Sequence, residues 1–292
     1  MESQASLCFL KLNRGNLKIR NEEKSYIKLF FINQLTRTPG FISQRNNYYQ
    51  KLLDMMIKFK YDQKKYIEAL PLIINKPHKI YLTVYRDLFN LLNDLRIGLL
   101  EATNNSFFII GQNPVVLLNP YMKDTNFPWS TQGLDLKGLM MIMPISPKYS
   151  VILYDSLRYT LINKYPKWVI DSTDVEKLNN FQYCNTVDCI YYSKQIDEEK
   201  YRLLNNKYRE YREGNKADFE IIASPKYCKA GYETDFVKTG LKEFPIEQKF
   251  SFFCYKAIEY HKEIKSYKDS IREHVEEVNL IRKNRLRNKQ GE

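Results

Sequence analysis

The chain has 292 residues, 43% of them hydrophobic and 14% aromatic, with 23 Tyr and 16 Phe against 10 Gly. That excludes a disordered chain, which lacks the apolar surface to offset its ordering entropy, and it allows one large domain or two smaller ones. Lys and Arg number 46 against 34 Asp and Glu, a net charge of +12. The excess favours a polyanionic partner, either nucleic acid or an acidic membrane face, although a solvated surface has the same composition.

The five cysteines, Cys8, Cys184, Cys189, Cys228 and Cys254, are widely spaced, form no CxxC pair and keep no zinc-ligand rhythm with the three histidines. Most sit among apolar residues and read as small buried hydrophobes. The first twenty residues are weakly patterned and carry no signal-peptide core, and no apolar run reaches the roughly 20 residues that cross a bilayer. A cytoplasmic protein is expected.

Tyr26, Ile27, Phe30 and Phe31 predict a helix over 22–35 that stops before Pro39-Gly40. A second helix is predicted over 46–59. A third runs from His78 to about Ala102, on the stripe Ile80, Val84, Leu88, Leu91, Leu95 and Leu99. The period then changes. Short apolar runs at 106–110, 115–118, 138–144 and 149–154 read as buried strands, joined by links too short for helical crossovers. Thr173 and Glu176 have capping-box spacing and open a helix to about Tyr192. A charged helix follows over 198–213, then a last strand near 219–223. From Pro245 to about Arg287 the chain has no further Pro or Gly and reads as one long helix or two. Its seam runs Ile264, Tyr267, Ile271, His274, Val278 and Ile281.

The expected fold class is α+β. It has N-terminal helices, a central and mainly antiparallel sheet of four to five short strands, and long C-terminal helices. Residues 1–245 form one domain, and 246–292 a basic helical segment packed on it.

Standard catalytic signatures are absent, including GxxxxGK[ST], GxGxxG, GxSxG and HExxH. No cofactor motif is evident. Asp87, Asn90 and Asp94 share one side of the predicted third helix, as either a divalent-ion set or a solvated face. Two polar clusters stand out. Gln34, Arg37 and Thr38 end the first predicted helix, where Arg37 either complements the helix dipole or faces a phosphate. Gln112 and Asn113 break two apolar runs, as turn residues or as amides at the mouth of a site. The basic tail Arg282, Lys283, Arg285, Arg287 and Lys289 offers phosphate contacts.

These motifs carry a resemblance. Phe107 to Val115 (FFIIGQNPV), Met141 to Pro147 (MIMPISP) leading into Tyr149 to Leu153, and Asp174-Val175 with Leu178-Asn179 are similar to the bacterial domain of unknown function family 4238. Arg37-Thr38-Pro39 matches the family's Arg-Thr-Pro element, and the pieces run in order over residues 25 to 195. The resemblance implies a polar site of Gln34, Arg37, Thr38, Gln112, Asn113, Ser146, Asn179 and Gln182. The family's upstream His-x-x-Pro segment has no counterpart here, and its Asp beside Asn113 is Gln112.

Two functions are expected from these readings. One is a nucleic-acid-binding or nuclease-like protein of bacterial defence or toxin systems, acting on RNA or DNA. It rests on the charge, the tail and the Tyr-rich stretch 201–212. The other is a non-enzymatic scaffold whose C-terminal helix binds a protein partner or a second copy of the chain.

Overall fold

The computed structural model of the protein describes residues 2–16, 18–58, 88–103, 105–124, 131–161, 167–193, 198–213, 217–222 and 236–256. The chain opens with helices α1 (Glu2–Asn13), α2 (Asn21–Thr36) and α3 (Pro39–Lys58). Strands β1 (Arg96–Ala102), β2 (Ile110–Gly111) and β3 (Val116–Leu118) follow, then the short helix α4 (Pro120–Asp124). Next come β4 (Met140–Pro144), β5 (Tyr149–Tyr154), β6 (Tyr159–Leu161) and β7 (Lys167–Ile170). The remainder is α5 (Ser172–Asn185), β8 (Ile190–Tyr191), α6 (Glu198–Glu213), β9 (Ala217–Ile222), β10 (Phe236–Leu241) and β11 (Phe253–Tyr255).

The centre is a five-stranded sheet in the order β3-β4-β5-β1-β7. Its first three pairings are antiparallel, and β7 joins β1 in parallel, with Leu100 opposite Trp168. The expected α+β class and mainly antiparallel sheet therefore hold. Both faces are covered, which is why the strands read as continuous apolar runs rather than alternating ones. Leu99, Met141, Met143, Val151 and Leu153 pack under α1 and α2 against Leu12, Ile27 and Phe31. Leu100, Ile142, Ile152 and Trp168 face the other way, toward Val175, Leu178 and Phe181 of α5. Gly98 is required on that second face, because a Cβ there would stand 2.3 Å from Trp168 Cζ3.

Three expectations are corrected. The helix predicted to reach Ala102 ends at residue 90 where it is described, and 96–102 is the strand β1. Its leucines were counted at helical spacing, but Leu99 and Leu100 point to opposite faces of the sheet. The cap of α5 is Asp171, whose side chain accepts from Asp174 N at 2.8 Å, and the helix ends at Asn185. Third, the stretch from Pro245 is non-helical, with a bend and a turn, up to β11, which pairs with β6. Phe244, Ile246, Phe250, Phe252 and Phe253 enter the core that α5 covers. The seam from Ile264 to Ile281 lies outside the described residues, as does the expected C-terminal helix.

The predicted strand 106–110 also dissolves, except for Ile110, which pairs with Tyr191. The side chains of α5 occupy its backbone instead. No described helix is long and apolar enough to cross a membrane.

Candidate functional site

From the end of β1 the chain crosses the sheet's rim to β3, passing the β4–β5 turn, where Phe108 N donates to Pro147 O at 2.8 Å. Ser146 belongs to that turn, and its Oγ accepts from Tyr149 N at 3.1 Å. α5 runs along the crossing segment and presents Asn179, Gln182 and Asn185 on successive turns. Asn179 Nδ2 donates to Phe107 O at 2.8 Å, and its Oδ1 accepts from Ile109 N at 3.0 Å. Gln182 Oε1 accepts from Gly111 N at 3.0 Å, while its Nε2 donates to Pro114 O at 2.7 Å. Asn185 Nδ2 donates to Asn113 O and Val115 O, at 2.8 and 3.0 Å.

Three amides thus satisfy main-chain groups at alternate residues of an extended segment, as a neighbouring strand would do. The arrangement follows from the buried backbone's need for partners. Asn113 completes it, donating from Nδ2 to Asn185 O at 2.6 Å. Its Oδ1 is buried without a hydrogen-bond partner among the described residues.

The α2–α3 corner closes over this ladder. Gly40 lies against Asn113 so tightly that a Cβ would stand 2.0 Å from Asn113 Nδ2 and 3.0 Å from Val187 Cγ2. Thr38, two residues earlier, is buried and donates to Leu35 O at 3.4 Å. Gln34 is half-buried on the last turn of α2. Arg37 is exposed and pairs with Glu2 at the start of α1, at 2.5 Å. Gln112 accepts from Asp188 N at 3.2 Å.

The structure therefore gathers Gln112, Asn113, Asn179 and Gln182, with the corner that carries Arg37 and Thr38 beside them. The amides of Asn113, Asn179 and Gln182 are bound to main chain. Asp87 and the basic tail lie outside the described residues, and Asn90 and Asp94 are exposed, with Asp94 in a turn after the helix. No three His, Cys, Asp or Glu among the described residues are placed to hold a metal ion.

Beyond the ladder, residues 186–192 lead to a surface the sequence reading covered only in part. Arg212 of α6 donates to Tyr183 Oη at 2.7 Å and to Val187 O at 2.9 Å, and its guanidinium stands 4.8 Å from the Tyr183 ring centre. Burial works against its charge, but the oxygens of Tyr183 and Tyr201 more than offset that and raise its pKa further. Tyr201 meets Tyr183 edge-on at 5.8 Å. Tyr191 and Tyr192 follow Val187 on the same segment and are 61% and 53% exposed. The stretch 201–212 was singled out by its composition. Asn185, Tyr191 and Tyr192 were not, although the spacing Asn179-x-x-Gln182-x-x-Asn185 is visible as an amide repeat at helical intervals.

A family model described as "Protein of unknown function (DUF4238)" matches residues 1–195. The chain belongs to this family. The DUF4238 match takes in the whole five-stranded sheet, the amide ladder and the α2–α3 corner, and extends the resemblance read over 25–195 to the start of the chain. Helix α6 and strands β9 to β11 follow the matched region. No curated protein and no solved structure matches the chain.

Proposed function

We propose that this DUF4238 protein binds single-stranded nucleic acid, RNA or DNA, on the surface where residues 186–192 meet α6. The observation that carries the reading is the exposure of Tyr191 and Tyr192 on the segment that Arg212 ties to α6 through Val187 O, where Tyr201 also meets Tyr183. Exposed aromatic rings stack on bases without regard to sequence, and cations beside them take the phosphates. Lys207 and Arg209 lie exposed on the same helix, and the net charge of +12 supports a polyanionic ligand. Arg37 is a further exposed cation, on the α2–α3 corner that packs against Asn113. The reading is one of binding. A nuclease-like effector of a defence or toxin system needs an acid–base or metal set in addition, and the ladder's amides serve the backbone.

The test is fluorescence anisotropy with labelled RNA, single-stranded DNA and duplex DNA over a salt series, with and without Mg²⁺ or Mn²⁺. Tight binding to both single strands is expected, weakening with salt by a log–log slope of about −0.7 per phosphate contact. Stacking is worth about 1–3 kcal/mol per base, so Tyr191→Ala with Tyr192→Ala weakens binding by roughly tenfold or more. Arg37→Ala and Lys207→Glu each flatten the salt slope. Equal affinity for duplex, or no effect of the two tyrosines, would remove the proposal. Cleavage in the divalent-ion arm would extend it to a nuclease.

A non-enzymatic scaffold is the second reading, supported by the commitment of the polar ladder to the fold and by the exposed Leu203 on α6. A protein contact there persists at high salt, whereas phosphate binding does not.

A further inference from the structure

Helix α1 has two apolar stripes. Ala5, Cys8 and Leu12 are buried, while Leu7 and Leu10 on the opposite side are 54% and 53% exposed. Ser3, Leu7, Leu10 and Arg14 fall within one narrow arc of the helix, because steps of three and four return to the same face. Between α1 and the first turns of α2 lies an open groove of about 470 Å³, lined by both leucines together with Lys11, Arg14 and Arg20. The two carboxylates at the groove are unequal. Glu23 is paired by Lys11 and Arg20, and only Glu22 is exposed. Lys18 and Lys24 extend the exposed positive charge along the loop and the start of α2.

We infer that this face docks on an anionic bilayer surface, with Leu7 and Leu10 entering the headgroup boundary and the exposed Arg14, Lys18 and Arg20 meeting lipid phosphates and carboxylates. Charge complementarity selects this occupant. Two protruding leucines are too little apolar area to hold a stable protein interface, which buries roughly 800 Å² per partner. Leucines flanked by cations on one helix face are what interfacial binding requires, since shallow insertion and attraction to acidic lipids add together. The face is built from α1 and the start of α2, whereas the tyrosines proposed to stack on bases lie on residues 186–192 and α6, so the variants that test each are different.

The experiment is co-sedimentation of the full chain with vesicles of phosphatidylcholine alone and with 30% phosphatidylserine, taken here as roughly a physiological acidic content. Binding is expected only to the acidic vesicles and is expected to fall with salt. Arg14→Glu with Arg20→Glu lowers the partition coefficient at least tenfold, and Leu7→Asn with Leu10→Asn does the same without changing charge. Lys249→Glu, an exposed cation elsewhere on the molecule, leaves the coefficient within about twofold. All the substituted side chains are exposed or half-exposed, and circular dichroism confirms that each variant keeps its fold. Equal loss with Lys249→Glu would mean diffuse attraction by net charge and overturn the site. So would indifference to the leucines, binding to neutral vesicles alone, no binding at all, or a dimer in solution that the leucine variant dissociates.

Discussion

At Gly40 the backbone of α3 passes so close to Asn113 that no side chain fits between them. Gly40→Ala must push Asn113 off the Asn185 carbonyl or displace Val187, so it should cost about 1–3 kcal/mol, read as a lowered urea midpoint. Glu23 gives a second residue-level expectation. The Lys11 ammonium and the Arg20 N–H hold its carboxyl down at about 2. A carboxylate depressed in the folded state stabilises above its unfolded pKa of about 4.3, and that contribution fades as pH falls toward the folded value. The difference in urea midpoint between wild type and Glu23→Gln should therefore be widest near neutral pH and close between about pH 4 and pH 2. Neither contact could be read from the sequence. The chain shows a Pro-Gly pair and a Gln-Asn pair, but their meeting depends on tertiary packing that local spacing does not encode.

At the scale of elements, the ladder from α5 to the crossing segment explains how two readings of the sequence relate to the structure. Turn chemistry singled out Asn113 and the family resemblance added Asn179 and Gln182, and the structure places those side chains together. Their chemistry differs from what was expected of them, because each amide holds main chain. Gln182→Leu removes partners from a buried backbone group, Gly111 N–H, and a part-buried one, Pro114 C=O. At about 1–3 kcal/mol per orphaned group, chemical denaturation should show a loss of about 2–5 kcal/mol. The run Phe107-Phe-Ile-Ile110 looks like a strand for a sound reason, since its backbone is extended and buried. It is not one because a helix's side chains replace the neighbouring strand, a substitution that apolar patterning cannot reveal. β1 was misread in the converse way. Six buried positions in a row, Ile97 to Ala102, satisfy a helical stripe and a two-faced strand equally well.

On the scale of the molecule, class and architecture were legible because three of the sheet's strands are short, apolar and closely linked in sequence. β7 was hidden because its parallel pairing to β1 spans the whole β3–β5 meander. The C-terminal reading failed between 245 and 256 for a chemical reason. The absence of Pro and Gly permits a helix, but Phe250, Phe252 and Phe253 contribute more as core for the face over α5. Ser251 adds a tie to the cap of that helix, donating from N and Oγ to Asp174 Oδ2 at 2.8 and 2.6 Å. A segment outside the family match thereby buttresses the helix that carries the ladder.

The ladder also alters how this molecule breathes. In an ordinary sheet, the exchange of a buried amide proton reports the separation of two strands. Here the protons of Ile109 and Gly111 are shielded by the side-chain carbonyls of Asn179 and Gln182. Their exchange follows the lifting of α5 rather than the unzipping of the sheet. Matched exchange rates for these two amides, slowed or hastened together by Gln182→Leu, are the expected sign that the rim and the helix open as one unit.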